Sequence, residues 1–403
     1  MKEYFSAVCK EPYRLFFPLG ILFGVWGVSP WVLYALGWIP NYSGFFHSST
    51  MILNYLPCFM IGFLLTAMPR FSGTPHASAG EVFYFLGTTA TIAVFLKYQQ
   101  WIWAEIFYIA WLLGLIRFAL VRIKTRPKNQ GPAASNPPRE IIWIPLGAFL
   151  GIVGTVTLIL GQLNILPPAA ILIGKPMMEQ GFLLSVVLGI GGFLIPRLMG
   201  TYRQSGTAIE FHLCAAVLLF LSFCFEGFRW EAAASGLKAF VIAVVFLKTG
   251  VLPRPPREKD LYIRLAWISS WMITIGFALA AIFPAYKIVL LHIAFIGGFS
   301  LMVFAVATMV AMAHAGEMEQ LRHGGGILWV VAIAVGLALL KRLSVIFLPD
   351  AYFKFLGMAA FSWMIAALSW FIFVLPRLIK IPEADEFEQM HEQVKKKTLN
   401  TKL

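Results

Sequence analysis

Runs of about twenty apolar residues recur along nearly the whole chain, and each is long enough to cross the hydrocarbon core of a bilayer. In lipid the backbone must satisfy its own hydrogen bonds, which leaves only helices and closed barrels. Barrel strands would read as short segments of alternating hydrophobicity, and the sequence has none. The composition agrees: 59% of residues are hydrophobic and 13% charged, about half the charged share of a soluble domain. The expected fold class is all-α, a polytopic helical membrane protein with about twelve transmembrane helices. They fall near 15–37, 50–68, 80–96, 101–122, 141–162, 177–195, 207–225, 231–247, 263–283, 286–313, 326–347 and 355–375. The first run follows "MKEYFSAVCKEPYR" and has no small-residue cleavage site, so it reads as a span and not a removable signal peptide.

The net charge of +13 invites a nucleic-acid reading, but its placement answers it. Of 32 Lys and Arg, 23 fall between spans on one side and five on the other, with Arg117, Lys238, Lys341 and Arg342 inside spans. That asymmetry predicts both termini in the cytoplasm and assigns the charge to anionic lipid, with no nucleic acid. Residues 1–403 read as a single membrane domain. Within it, 123–140 ("KTRPKNQGPAASNPPRE") is an expected flexible cytoplasmic linker between sub-bundles, and 381–403 a charged cytoplasmic tail.

Four cysteines (Cys9, Cys58, Cys214, Cys224) form no CxxC, which argues against a c-type haem or a zinc ribbon. No phosphate-binding loop, GxGxxG or GxSxG occurs, so hydrolase and nucleotide-driven readings lack support.

Histidine is what stands out. Ionisable residues inside spans are costly and tend to mark function, and imidazole is a common ligand of haem iron and copper. His47 lies where the second span begins and His292 about two turns into the tenth; both spans enter from the outer side. They can share one layer, and two imidazoles from different helices make an axial ligand set for b-type haem. His314 ends the tenth span 22 residues after His292, about 33 Å away and facing roughly the same way. An inner group follows: His314 with His212, His76 or His323. Lys341 and Arg342, at outer depth in the eleventh span, are candidates to neutralise haem propionates.

Each residue has an ordinary alternative. His47 can bond interfacial water, His292 a neighbouring helix, and His314 can complement a helix C-terminus. His212 can pair with Glu210, His76 and His323 are loop residues, and His391 lies in the tail. Lys341 and Arg342 can snorkel or pair with Asp350. Asn54 and Thr66 read as helix–helix contacts, and the glycines of "GIGGFLIP" as close packing.

Four blocks, "EPYRLFFPLG", "FHSSTM" with "GFLLTAMPRFSG", "GGFLIPRLMG" and "LLHIAFIGGFSLMVFAVATMVAMAHAGE", resemble the NnrS family in order and spacing from about residue 10 to 375. The resemblance implies a twelve-span protein of the bacterial inner (cytoplasmic) membrane that contains haem and copper and is tied to denitrification and nitric oxide tolerance. It implies one or two b-type haems, copper as a further metal, and nitric oxide as a gaseous ligand; it names no electron donor. The family's His-x-His-Glu-Met in the second span stands here as His47-Ser48-Ser49-Thr50-Met51, without the second His and the Glu. The tenth-span His matches His292, and the family's Gly-His-Thr-Gly-Arg matches Ala313-His314-Ala315-Gly316-Glu317. His76 and His212 fall outside the family pattern. The departures imply loss of one metal on the outer side, or a site rebuilt on the inner side.

Three function classes follow. The first is a haem protein that metabolises nitric oxide or protects from it, as an oxidoreductase or electron relay. Its paired histidines on the second and tenth spans also resemble the low-spin haem site of haem–copper oxidases, at fold level only. The second is a secondary transporter of a small anion or metabolite, with Lys341 and Arg342 along its path; few carboxylates lie in spans and no clear internal repeat is visible, which weighs against it. The third is a haem-stabilised sensor or scaffold.

Overall fold

The computed structural model describes residues 2–125, 138–202, 207–323 and 325–380. The heart of the expected linker, 126–137, and the 381–403 tail lie outside them. No strand occurs among the described residues, and twelve helices are long and apolar enough to cross a membrane. In order, spans 1 to 12 are Tyr13–Ala35, Gly44–Ser72, Ala79–Lys97, Trp101–Thr125, Arg139–Gln162, Ala169–Leu198, Ile209–Gly227, Glu231–Thr249, Leu261–Ile282, Pro284–His314, Gly326–Ser344 and Pro349–Ile379. The chain is a multi-pass helical membrane protein. Span 1 starts and span 12 ends on one face, called here the terminal face; the other is the far face.

Span 2 begins well before the apolar run that announces it, because local capping starts it in polar sequence. Ser43 Oγ accepts the Phe46 N–H at 3.1 Å and opens span 2 at Gly44, so His47 lies inside the helix. Ser78 and Glu81 cap span 3 reciprocally.

Spans 2, 6 and 10 form the centre. Between 67% and 83% of each is buried, against at most 50% of any other span. All three contain π-helical turns, at Met51–Tyr55, Met177–Gly181 with Val187–Gly191, and Ile293–Ser300. All three end on the terminal face at a left-handed glycine: Gly73 (φ 64°), Gly200 (φ 65°) and Gly316 (φ 72°). An apolar cavity of about 90 Å³ lies where they meet, walled by Phe59, Phe63, Ile190, Leu194, Met302 and Val306.

Around this centre run three arcs: spans 11–12–1, 3–4–5 and 7–8–9. The arcs reflect an internal repeat, which corrects the sequence reading. Pro18-Leu19-Gly20, Gly24 and Gly27 in span 1 recur as Pro145-Leu146-Gly147, Gly151 and Gly154 in span 5, each 127 residues on. Pro69-Arg70 and Gly73 recur as Pro196-Arg197 and Gly200 at the same offset. The contacts recur too. A Cβ at Gly20 would lie 2.6 Å from Phe59, and one at Gly147 2.6 Å from Ser185, so each glycine lets its span press onto the central helix beside it. Spans 9–10 lack the motif.

The ring of spans closes where span 12 packs on span 1. Arg14 seals that seam: its Nη1 donates to the carbonyls of Leu378 at 2.9 Å and Lys380 at 2.6 Å.

Candidate functional site

The compartment bounded by spans 1, 2, 10, 11 and 12 holds His47, His292 and Arg342. His47 Nδ1 lies 2.9 Å from the carbonyl of Gly27 on span 1. His292 Nδ1 lies 2.7 Å from the carbonyl of Ile288, one turn earlier on its own helix. A carbonyl can only accept, so each Nδ1 carries the hydrogen and each Nε2 keeps its lone pair free. That is the arrangement of a metal-binding imidazole whose second nitrogen is oriented by the backbone. Trp31 stands edge-on to His47 at 5.7 Å and Phe295 to His292 at 6.2 Å.

The two rings lie within electrostatic reach of each other and of the Arg342 guanidinium. Arg342 is only 4% exposed, yet its Nε and Nη1 have no partner among the described residues. Its other contact is Tyr352, whose ring centroid lies 5.8 Å from Cζ. A buried guanidinium with two unused donors leaves a position suited to an anionic acceptor. Lys341, about 100° round the helix, turns elsewhere, with its ammonium 5.5 Å from the Phe355 ring. Neither cation pairs with Asp350.

Two turns deeper the same helices are joined. Tyr55 and Ser300, each eight residues past its histidine, meet at 3.4 Å, and Trp363 Nε1 donates to Ser300 Oγ at 3.2 Å. The sequence reading missed this floor. Its signal was the equal spacing of a tyrosine and a serine behind two histidines of like depth.

Of the inner histidines, His314 and His212 hold separate sets of partners. His314 is held at both nitrogens: Arg70 Nη1 donates to Nε2 at 2.9 Å, so Nδ1–H donates to Glu11 Oε1 at 2.5 Å. Glu11 also binds Arg14 Nε at 2.7 Å and Arg70 Nη2 at 3.0 Å. Burial pushes the Glu11 carboxyl up, but the hydrogen bond from His314 and the charge and hydrogen bond of Arg14 outweigh it and hold it at about 2. His212, fully buried, accepts from Trp143 Nε1 at 3.0 Å and therefore donates through Nε2 to Thr207 Oγ1 at 2.9 Å. His76 lies between spans 2 and 3, its carbonyl accepting from Arg122 at 3.2 Å. The side chain of His323, and all of His391, lie outside the described residues. Among the described residues no three His, Cys, Asp or Glu come together to hold a metal. The uniform 100° step from His292 to His314 also fails, because eight π-helical residues intervene and a turn closed i to i+5 takes up more chain.

The compartment bounded by spans 6 to 10 carries charge that the sequence reading passed over. Lys238, 1% exposed, donates to Glu226 Oε1 at 2.8 Å and Gln180 Oε1 at 2.9 Å, and Lys287 grips the other Glu226 oxygen. The signal was a lysine inside the apolar eighth span, with a carboxylate at the end of the seventh for it to reach back to.

A family model described as NnrS protein matches residues 7–381. No curated protein matches the chain.

Proposed function

This chain belongs to the NnrS family, and on that premise we propose that it is a b-type haem protein of the bacterial cytoplasmic membrane that acts on nitric oxide or protects against it. The observation that supports this best is the pair His47 and His292, each with Nδ1–H committed to a carbonyl and Nε2 free, beside the unsatisfied guanidinium of Arg342. These residues fit a haem: two imidazoles for the iron and a buried cation for a propionate. When bound, the haem would supply an iron able to exchange one electron and to bind nitric oxide.

The chain's own part is to bind and orient. The carbonyls of Gly27 and Ile288 fix the two imidazole planes, and the Tyr55–Ser300–Trp363 junction keeps spans 2, 10 and 12 in register beneath them. Arg342 offers its free N–H groups to a carboxylate without giving up an existing bond. Copper is left out of the proposal: no third His, Cys, Asp or Glu joins the pair among the described residues. The excess of Lys and Arg near the terminal face supports placing that face in the cytoplasm.

A secondary transporter is the second reading, favoured by the internal repeat and the buried Lys238–Glu226–Lys287 group. One measurement separates them. Purified protein carrying a haem b Soret band that disappears in His47→Ala and His292→Ala supports the haem reading; colourless protein, or a band untouched by both substitutions, overturns it. Consumption of nitric oxide in the presence of a reductant then separates a catalyst from a sensor.

A further inference from the structure

The compartment bounded by spans 2 to 6 holds no histidine pair, but it concentrates buried polar atoms that no described residue satisfies. Glu105, Tyr108 and Trp111 lie on one stripe of span 4, and Glu105 Oε2, the Tyr108 hydroxyl and Trp111 Nε1 all lack a partner. Span 2 adds Asn54 Oδ1 and span 3 adds Thr89 Oγ1, both unpaired and both on residues at most 1% exposed. Each such group costs about 1–3 kcal/mol if left dry, so five in one seam are not tolerable without water.

Their placement is continuous. Phe85 and Trp111 meet at 5.5 Å across spans 3 and 4. One turn toward the far face from that contact, Thr89 and Tyr108 stand at one level, and Asn54 Nδ2 donates to the Thr89 carbonyl at 2.9 Å. One further turn out is Glu105, whose Oε1 accepts from Gln162, the last residue of span 5, at 2.9 Å. Lys175 stands at the rim within electrostatic reach of Glu105, its ammonium 4.9 Å from the Phe45 ring. Inward of Trp111 the seam ends against Phe182, Leu112, Leu115 and Phe118.

We propose that this seam, whose five groups are at most 1% exposed in the closed arrangement, hydrates as a half-channel that admits water and protons from the far face to about 10–15 Å depth. Glu105 is its polar entrance, and the Tyr108 hydroxyl and the Asn54 and Thr89 side chains are its hydrogen-bonding wall. A carboxylate at the mouth can take up and pass on a proton, and a file of waters along hydroxyl and amide groups can relay it. The seam also runs beside the histidine compartment. One turn before Asn54, Thr50 packs on Gly27, whose carbonyl orients His47, and the Thr50 hydroxyl too is unpaired. The inference does not depend on haem.

The test uses full-length protein with its four cysteines replaced, in vesicles of known orientation. Thiosulfonates react with the thiolate, so modification requires both water and loss of a proton to it. Tyr108→Cys should react with a membrane-impermeant thiosulfonate added at the far face about tenfold faster than Leu115→Cys, and adding Glu105→Leu should abolish the difference. In unsubstituted protein, hydroxyl-radical footprinting should oxidise Tyr108 and Trp111 several-fold faster than Trp363 and Trp370, whose indole N–H groups are paired with Ser300 and Thr308. Tyr108→Cys reacting no faster than Leu115→Cys, or only from the terminal face, overturns the proposal. Where a cysteine variant fails to fold, the footprint decides: equal oxidation of all four aromatics overturns it.

Discussion

The layer of His47, His292 and Arg342 and the layer of Glu11, Arg14, Arg70 and His314 contain nearly the same ingredients, histidine and arginine at membrane depth or at its edge. They differ in what is already used. In the second, both nitrogens of His314 are bonded and one carboxylate serves His314, Arg14 and Arg70. In the first, no carboxylate is present in the contacts, each imidazole has spent one nitrogen on a carbonyl, and a buried guanidinium has donors to spare. Ligand capacity is decided by the partners already held and not by residue type or depth. A saturated cluster holds helices together; an unsaturated one calls for something from outside.

The widest test of this contrast sets His292→Ala against His314→Ala. Under the haem reading the first removes an axial ligand and loses nearly all of the Soret absorbance of purified protein, while the second keeps it and loses thermal stability. If both lose the Soret band equally, the contrast fails. Next in size is Glu11→Ala, which strands three basic groups in a buried site and should cost about 3–5 kcal/mol in a denaturant titration.

Acid should act on the same cluster. The Glu11 carboxyl is held at about 2 when folded and returns to its ordinary 4.5 when unfolded. Its contribution is therefore complete above about pH 4.5 and lost as pH falls toward 2, a total of about 3 kcal/mol. Stability measured across that range should fall in the native protein and be flatter in Glu11→Gln; parallel curves would contradict the account. The smallest effects separate two neighbours. Arg342→Gln should weaken haem retention about tenfold, since a charge-assisted hydrogen bond is worth about 1.5–3 kcal/mol. Lys341→Gln should change it less than twofold, because a cation–π contact with Phe355 is worth about 0.5–1 kcal/mol and lies away from the rings. Equal losses would return Lys341 to the site.

The twelve spans were legible in the sequence because lipid leaves a backbone few options and hydrophobic length records the crossing. The pairing of His47 with His292 was legible for a related reason: alternating spans place residues by depth. Depth says nothing of azimuth, which is why adjacent Lys341 and Arg342 could not be told apart. The partner that His314 does hold, Glu11, could not be read off, because it lies 303 positions away in a stretch with no signature of its own. The π-helical turns of spans 2, 6 and 10 are likewise invisible to a periodicity that assumes 3.6 residues per turn. The repeat was readable in Pro-Leu-Gly and Pro-Arg at a constant offset, but apolar sequence surrounds both copies and blurs them.

The clamp by which Arg14 holds the carbonyls at the end of span 12 has a consequence for biogenesis. An arginine at the start of span 1 waits for acceptors at the end of span 12, 364 and 366 positions on, with every intervening span inserted between. Glu11 matches its charge locally, but Nη1 stays without these acceptors until span 12 packs on span 1. The clamp thus acts as a check on span 12: until that span docks, donors of Arg14 stay open to the surveillance machinery of the membrane, and its arrival silences them.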